Sequence, residues 1–438
     1  MSTQPSPLRI AVVGGGIAGL TVALSLLKHK DDGANIDIAV YEQAPKFAEI
    51  GAGVAFGPNA QRALRLMGLG DALDATAGPP GDDANLWFGY RVGDAGPNSG
   101  KHFATVTGDS AARGSVHRAD FLDQLIRRLP KECAHFNRRC TSYTPHDGGV
   151  TLHFAQEDAE PAEADVVIAS DGIKSLLRGH LYGRKEVDLE PQRARYSKWV
   201  AWRGLVPREK YEDAFGKGTT DKIMHCGKGR HILTFPVRNG ELINIVGFVR
   251  DEDEKKRGNH TSNWAEPRPK EEMLEDYAPF NDECKKLLNA IPDPSIWGIF
   301  ELPPIEHAVD DRVVLIGDAA HATTPHQGAG AGQAVEDSLF LAALLCHPSV
   351  ASAPASSRLS RITHALSLYQ AERHPRAQKI QQTSHEAGLL YEFLGSEGDD
   401  LDKIKANLES RMEWIWTYDT EGELKRVVRL LEKGDDKK

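Results

Sequence analysis

Three glycines near the start of the chain have the spacing that backbone binding of a pyrophosphate requires. Gly14-x-Gly16-x-x-Gly19 follows a short apolar run, and Glu42 closes the next such run. In this pattern the first glycine permits a tight turn, the second lets backbone N–H groups approach phosphate, and the third allows close helix packing. The Glu42 carboxylate can accept hydrogen bonds from both ribose hydroxyls, which predicts an adenine dinucleotide without a 2′-phosphate.

Two further acidic residues follow β-branched runs and are placed to meet the same ligand. Asp171 begins an Asp-Gly pair, and Asp318 ends a Gly-Asp pair. Ligands of open α/β sheets bind at the ends of the strands, so both carboxylates are candidates for contact with the dinucleotide. A plain strand-to-turn signal is the structural alternative for Asp171.

A separate set of residues has the chemistry of an aromatic-acid pocket. Alternation along one predicted strand puts His231, Leu233 and Phe235 on one face, and Arg203 shares a face with Trp199 on another strand. An apolar slot with one or two fixed polar groups suits such a substrate. A hydrogen-bonded core histidine and a surface ion pair are the alternatives for His231 and Arg203.

The elements that must position these residues form a βαβ unit and its extensions. Strands are predicted at Leu8–Val13 and Ile36–Tyr41, with a helix at Ile17–Lys28 between them. Asp165–Ala169 and Arg312–Ile316 are two more apolar, β-branched runs of the kind found in buried parallel strands. An α/β class with a parallel sheet follows.

The middle of the chain has a different pattern of apolar and turn-forming residues. Antiparallel strands are predicted at Tyr196–Val206, His231–Val237, Glu241–Val249 and Trp297–Leu302, with an Asn239-Gly240 turn between two of them. These strands predict an inserted α+β unit. Helical spacing then dominates from Gln333 to the end, where two or three helices are expected to cover the sheet.

Composition excludes several classes of function. A formal charge of −10 argues against nucleic-acid binding, and no apolar run approaches the length of a membrane span. Five cysteines without a CxxC pair suit reduced thiols, and no secretory signal is recognised, so a cytoplasmic protein is expected. His321 and His326 lack a carboxylate or cysteine at ligand spacing, and no metal site is predicted.

Two longer segments carry a resemblance to a known family. SDGIKSLLR (170–178, the DG segment) and RVVLIGDAAHATTPHQGAGAGQAVEDS (312–338, the GD segment) follow the glycine fingerprint in the order and at the spacing of the single-component FAD-dependent aromatic hydroxylases. This family includes para-hydroxybenzoate hydroxylase and salicylate hydroxylase. YQAERHPRAQKIQ (369–381) and RMEWIWTYD (411–419) resemble the salicylate-hydroxylase branch.

The resemblance implies that the dinucleotide is FAD, with NADH or NADPH as a transient co-substrate and O₂ as the oxidant. Arg118 matches an arginine that contacts the FAD phosphate and ribitol region, and the segment around Gly53 resembles one beside the flavin. The residues expected to bind FAD are Gly14, Gly16, Ile17, Ala18, Gly19, Glu42, Gly53, Val54, Arg118, Asp171, Asp318, Gly330, Ala331 and Gly332.

The implied reaction is hydroxylation of a phenolic aromatic acid through a C4a-hydroperoxyflavin, with salicylate to catechol and CO₂ as the expected case. Pro325 matches a proline whose carbonyl lies near the reacting carbon. Phe235 replaces a tyrosine of related hydroxylases, which leaves His231 to assist phenol deprotonation. His231, Arg203 and Pro325 are the predicted catalytic residues, and they line the substrate site with Phe235.

The same resemblance implies a domain plan. A Rossmann-like FAD-binding domain takes 1–78, 107–185 and 300–345, a substrate domain takes 79–106 and 186–299, and a helical region takes 346–438. A monomer or homodimer with a small aromatic substrate is expected, without nucleic-acid or membrane partners.

Three alternatives remain open from the sequence. The first is a hydroxylase of another phenol or N-heteroaromatic acid, including a fungal secondary-metabolite tailoring enzyme. The second is a flavin-free binding protein of the Rab GDP-dissociation-inhibitor type. The third is an NAD-dependent dehydrogenase that uses the glycine fingerprint for NAD.

Overall fold

The predicted βαβ unit lies at the centre of a six-stranded sheet in a computed structural model, which describes residues 6–47, 53–77, 85–109, 114–218, 220–251 and 265–435. The first two strands have the predicted bounds, and helix α1 (Ile17–Asp31) extends past Lys28. In spatial order the strands are β18 (Val309–Asp310), β19 (Val313–Leu315), β11 (Val166–Ala169), β1 (Leu8–Val13), β2 (Ile36–Tyr41) and β7 (Ala134–His135).

Parallel pairing brings the predicted motifs to one edge of this sheet. Val13 pairs with both Tyr41 and Ala169, and Ala169 pairs with Leu315. The carboxyl ends of β1, β2, β11 and β19 are therefore level. The turns that follow these four strands carry the glycine fingerprint, Glu42, the DG segment and the GD segment, so all four meet at this edge.

An eight-stranded, mostly antiparallel sheet forms the second layer of strands, as the middle of the sequence predicts. Its spatial order is β16 (Ala265–Pro267), β17 (Ser295–Glu301), β12 (Arg195–Pro207), β15 (Leu242–Arg250), β14 (Arg230–Val237), β13 (Ile223–Gly227), β4 (Leu86–Val92) and β5 (His102–Thr107). The one parallel pairing in it joins β13 to β4.

The two faces of the eight-stranded sheet bury different partners, because side chains alternate along each strand. Val200, Trp202 and Ile232 pack on helices α6 (Arg208–Phe215), α7 (Lys270–Asp276) and α8 (Asp282–Asn289). The opposite face carries Phe235 and Val237, which pack with α12 (Ala355–Tyr391).

Smaller elements complete the layers around the six-stranded sheet. A three-stranded sheet of β8 (Cys140–His146), β9 (Gly149–Phe154) and β10 (Ala162–Ala164) was not expected from the sequence. The other pieces are the pair β3 (Gly53–Ala55) and β6 (Ser115–His117), and helices α2 (Pro58–Leu66), α3 (Gly70–Asp74), α4 (Arg118–Ile126), α5 (Leu176–Arg184), α9 (Asp318–His321) and α10 (Gly330–Leu345).

The C-terminal region is helical, as predicted, and its longest helix joins both sheets. Its helices are α11 (Pro348–Ala351), α12, α13 (Leu401–Arg411), α14 (Glu413–Trp416) and α15 (Thr420–Asp435). Ile362 and Leu366 of α12 pack in the core of the six-stranded sheet, whereas Leu390 and Tyr391 pack against the eight-stranded one. Within the described ranges, no helix has the length and apolar character to cross a membrane.

Candidate active site

The surroundings of the three fingerprint glycines show which of them the fold requires. Gly14 has φ +103°, and a Cβ there would lie 2.5 Å from the carbonyl oxygen of Ser170. A Cβ on Gly19 would lie 1.9 Å from the carbonyl oxygen of Gly14. A Cβ on Gly16, the N-cap of α1, would meet no atom within 4 Å. The fold itself therefore demands Gly14 and Gly19, while the space in front of Gly16 is open to a ligand.

Glu42 shapes the turn as well as facing it. Its Oε2 accepts a hydrogen bond from the Gly15 N–H at 2.7 Å, and its Oε1 accepts one from the Ala44 N–H at 2.8 Å. Each carboxylate oxygen has a second lone pair, so both retain capacity for a ribose hydroxyl. The carboxylate is thus held in place by the backbone it would help to bind.

The GD segment presents a carboxylate at the same sheet edge. Asp318 is exposed, although Ala319 and Ala320, which follow it in α9, are buried. Gly317 bends the chain with φ +57° and donates its N–H to Oδ2 of the buried Asp337 at 3.1 Å. The buried Asp337 therefore holds the turn in place, and the Asp318 side chain points away from the core.

The N-terminus of α10 supplies donors beside this carboxylate. The first hydrogen bond within the helix runs from Gln333 N to Ala329 O, so the amides of Gly330, Ala331 and Gly332 precede the helical ladder. Amides at this position stabilise negative charge. A Cβ added to Gly328 would lie 3.7 Å from the side chain of Ala55. Strand β3, with Val54, therefore lies beside the turn that leads into α10.

The DG segment is tied to the GD segment by a buried arginine. Arg178 donates to the carbonyl oxygens of Ala319 at 2.9 Å and Ile173 at 2.7 Å. Asp171 Oδ2 accepts from the N–H groups of Leu176 at 2.9 Å and Leu177 at 3.3 Å, and burial raises its pKa. The carboxylate of Asp171 thus stabilises the start of α5, and its predicted contact with a cofactor stays a prediction.

Arg203 of β12 lies within electrostatic range of Arg118, which begins α4 directly after β6. Arg203 is half-buried with its guanidinium 4.7 Å from the ring centre of Trp297, and it forms no ion pair within the described residues. Burial and the positive charge of Arg118 lower the pKa of Arg203 to about 10. Close by, a Cβ on Gly53 would lie 2.4 Å from the Phe235 ring, so this glycine makes room for substrate-lobe packing.

His231 lies in a cluster of buried rings, on the face of the eight-stranded sheet that also carries Phe235. Its side chain is fully buried and stacks on Phe248 with ring centres 4.7 Å apart. His326 lies 5.2 Å from it, ring centre to ring centre, and directly follows the exposed Pro325. In the described part of the chain, Nε2 of His231 and both ring nitrogens of His326 have no hydrogen-bond partner.

Three unpaired buried nitrogens make this cluster a candidate place for a polar ligand. Each unsatisfied buried group costs about 1–3 kcal/mol, which a purely structural core would avoid. Burial, followed by the nearby His231, lowers the pKa of His326 well below its ordinary value, so this imidazole is neutral. A neutral imidazole has one nitrogen that can accept a proton.

The sequence analysis weighed His326 only as a metal ligand. No group of three or more histidine, cysteine, aspartate or glutamate side chains in the described ranges could hold a metal ion. Its position beside Pro325 is the signal that could have identified it. Glu392 was also missed: its Oε1 lies 3.0 Å from His231 Nδ1, yet 161 positions separate the two residues and no local pattern connects them.

The predicted catalytic residues Arg203 and His231 lie on the same face of the eight-stranded sheet, on strands that are not adjacent. Arg203 and Leu233 both pair with Val246, so Arg203 and His231 are two strands and two residues apart. With strands ~4.8 Å apart and a rise of ~3.3 Å per residue, their Cα atoms are about 12 Å apart. His326 connects His231 with Pro325, and the role of Arg203 in the same site stays a prediction.

Comparisons with known proteins identify the family of this chain. Residues 8–384 match the FAD binding domain family. Salicylate hydroxylase of Pseudomonas putida is 39% identical, covering 97% of this chain and 95% of that protein. 6-Methylsalicylate 1-monooxygenase of Aspergillus terreus is 36% identical, covering 98% and 93%. A solved salicylate hydroxylase substrate complex superposes with a TM-score of 0.84 at 37% identity, covering 96% of this chain and 98% of that one.

The chain belongs to the salicylate hydroxylase family of FAD-dependent monooxygenases. The observations at the edge of the six-stranded sheet fit FAD as its cofactor. The open space at Gly16 accommodates a pyrophosphate, Glu42 retains lone pairs for a ribose, and Asp318 and the α10 amides face outward beside them. In this family the dinucleotide of the fingerprint is FAD, which argues against the flavin-free and NAD-dehydrogenase alternatives.

Proposed function

We propose that this protein hydroxylates a phenolic aromatic acid with NADH or NADPH and O₂, and that its substrate is salicylate, which it converts to catechol and CO₂. The observation that carries the proposal is the pair of buried histidines, His231 and His326, with three unpaired nitrogens beside Pro325. The likeness to salicylate hydroxylases supports the same substrate class.

FAD, once reduced by the nicotinamide, activates O₂ and supplies an electrophilic oxygen atom. The residues of the chain then act on the substrate. An imidazole nitrogen of the His231–His326 pair accepts the phenol proton, and the resulting phenolate directs electron density to its ortho carbon. When that carbon bears a carboxylate, the new C–O bond forms as CO₂ leaves. One oxygen atom enters catechol, the other leaves as water, and the nicotinamide supplies two electrons.

The second task of the chain is to exclude water. Trp199, Phe235 and Phe248 are buried on the sheet face that carries His231, and their rings offer no polar group to bulk solvent. A dry chamber favours transfer of oxygen to the substrate over release of hydrogen peroxide. We propose that the eight-stranded sheet, within the predicted substrate segments 79–106 and 186–299, forms this chamber.

Arg203 has a different role in this proposal. Its guanidinium has no ion-pair partner within the described residues, and the Cα atom of Arg203 lies about 12 Å from that of His231 by the spacing of strands. We propose that it attracts the carboxylate of an arriving substrate, while the histidine pair contacts the phenol. For FAD we propose the predicted contacts, with Gly16, Glu42 and Asp318 as the principal ones.

The test is product analysis with purified, FAD-loaded protein. Salicylate should give catechol and CO₂ in equal amounts, with close to one nicotinamide oxidised per catechol, and a comparison of NADH with NADPH identifies the reductant. Related acids, 6-methylsalicylate among them, form the comparison panel. If salicylate yields only hydrogen peroxide while another acid is hydroxylated stoichiometrically, the salicylate assignment is wrong.

A further inference from the structure

We propose that Glu392 is a positioning residue that makes His231, rather than His326, the acceptor of the phenol proton. It does so by holding the Nδ1–H tautomer of His231 and leaving Nε2 free. The inference rests on the proposed function and adds which of the two histidines takes the proton and what prepares it. No sequence motif includes Glu392, which is the C-cap of α12.

Glu392 is held by hydrogen bonds from two other elements, strand β12 and the turn before β14. Its carboxylate is fully buried, and Oε2 accepts a hydrogen bond from the Trp199 indole N–H at 2.8 Å. Its backbone carbonyl accepts from Gly229 N at 3.0 Å, at the turn that leads into β14. The other oxygen, Oε1, is thereby directed at His231 Nδ1, 3.0 Å away.

This geometry determines which ring nitrogen of a neutral His231 carries the proton. An ionised carboxylate can only accept hydrogen bonds, so the proton of a neutral His231 lies on Nδ1 and the lone pair lies on Nε2. Stacking on Phe248 with an interplanar angle of 15° fixes the plane of the ring. Nε2 therefore points in one direction, and it has no partner within the described residues.

The carboxylate also favours proton uptake. When Nε2 takes the phenol proton, the imidazolium gains a charge that Glu392 stabilises at hydrogen-bond distance in a buried site. His326 has no such partner, and a proton on it would face the burial cost alone. Tyr391, Tyr277 and Cys226 also lie beside His231 and Glu392, and all three are buried and uncharged at neutral pH. On the His326 side the titratable or charged groups are His385, Arg250 and Arg411, which all disfavour a proton on His326.

The chain contains a matched control. Glu301 pairs with His385 through Oε2 and Nδ1 at 3.0 Å, and His385 packs on the Trp199 ring with centres 4.9 Å apart. This second glutamate–histidine pair has similar chemistry and lies at the same tryptophan. The part of the chain that the structure describes places Glu301 in no contact with His231 or His326.

The experiment compares Glu392→Gln with Glu301→Gln in the FAD-loaded protein. A glutamine can donate its NH₂ to Nδ1, which moves the histidine proton to Nε2 and removes the acceptor. We expect the hydroxylation rate to fall by roughly 10²-fold or more in Glu392→Gln. Flavin reduction by the nicotinamide should change by less than about threefold, and Glu301→Gln should retain wild-type hydroxylation.

A second readout needs no turnover. A nitro-substituted salicylate changes its absorption when its phenol ionises, so its apparent pKa can be measured when bound to the oxidised protein. Glu392→Gln should raise that pKa by at least about one unit relative to wild type, equivalent to tenfold weaker ionisation. Salicylates with more acidic phenols should lose less hydroxylation in this variant, because they depend less on a base.

The outcomes separate the two proposals. If wild type hydroxylates salicylate but Glu392→Gln leaves the bound phenol's ionisation unchanged, or slows flavin reduction as much as hydroxylation, the role of Glu392 is refuted and the function stands. If wild type neither binds nor hydroxylates phenolic acids, the proposed function itself fails. Should Glu392→Gln not fold, His231→Gln takes its place, and unchanged phenol ionisation in that variant refutes the inference.

Discussion

Alanine at Gly16 should separate cofactor binding from folding. The backbone there has φ −79°, which alanine adopts freely, and its Cβ would meet no atom within 4 Å. Alanine is a poorer N-cap than glycine, which destabilises the fold, but it also reduces the entropy of the unfolded chain, which stabilises the fold. Because the two effects oppose each other, the free energy of unfolding of the FAD-free protein should change by less than about 1 kcal/mol. The same Cβ occupies the space in front of the turn that a pyrophosphate needs.

The loss of FAD affinity can be estimated from the donors involved. Displacing the phosphate from one charge-assisted backbone hydrogen bond costs about 1.5–3 kcal/mol. The FAD dissociation constant should therefore rise roughly 10- to 150-fold. Urea unfolding of the FAD-free protein and a fluorescence titration with FAD measure the two quantities separately.

Gly14 and Gly33 provide the controls for this reasoning. Both have φ +103°, but a Cβ at Gly33 would meet nothing within 4 Å, while one at Gly14 would lie 2.5 Å from Ser170 O. Gly33→Ala should cost about 1–2 kcal/mol from the backbone conformation alone. Gly14→Ala should add about 1–3 kcal/mol for the clash. If Gly16→Ala destabilises the FAD-free protein as much as Gly14→Ala, or binds FAD as wild type does, the division of roles is refuted.

Three further predictions follow from buried contacts and charge. Asp337→Asn should lower the free energy of unfolding by about 3–5 kcal/mol, because it leaves the buried Arg373 with one carboxylate fewer. His321 and Arg373 depress the pKa of Asp337 in the folded protein. The ionised carboxylate therefore stabilises the fold fully above the ordinary aspartate pKa, and this stabilisation is lost as the pH falls. Wild type should lose more free energy of unfolding towards pH 3 than the variant does, and equal losses in urea titrations would contradict this. Trp416→Ala should lower the free energy of unfolding by about 3–5 kcal/mol. The ring centres of Trp416 and Trp87 are 5.4 Å apart, and Trp87 lies beside Gly328 in the turn before α10, so the loss should also lower FAD occupancy. An unchanged unfolding midpoint would contradict this. Arg203→Gln should raise KM for salicylate with little change in kcat, and a fall in kcat alone would show that Arg203 acts on the bound substrate instead.

The cofactor side of the site is predictable from the sequence because its geometry is local. A strand, a glycine turn and a helix are consecutive in the chain, so the spacing of Gly14, Gly16 and Gly19 already describes the loop. Parallel pairing of β1, β2, β11 and β19 then brings the Glu42, Asp171 and Asp318 turns to one edge, since parallel strands end on the same side. The resemblance of the DG and GD segments to one family identifies the dinucleotide as FAD.

The substrate side is only partly predictable in this way. Strand alternation correctly placed His231 on one face with Phe235, and the predicted bounds of β12, β14 and β15 agree with the structure to within one residue. Alternation says nothing about what packs against that face. The sequence analysis grouped His231 with Arg203, and the register of β12, β15 and β14 puts about 12 Å between their Cα atoms, so their joint role stays a prediction.

By itself, the sequence determined the fold class, the cofactor turn and the family, because these depend on residues that are close along the chain. Only the tertiary structure decided the surroundings of His231. Helix α12, whose C-cap is Glu392, crosses from one sheet to the other and brings a carboxylate to a histidine 161 positions away. His326 comes to the same place from a third segment of the chain. Such contacts arise from how helices and sheets pack, and local periodicity carries no record of them.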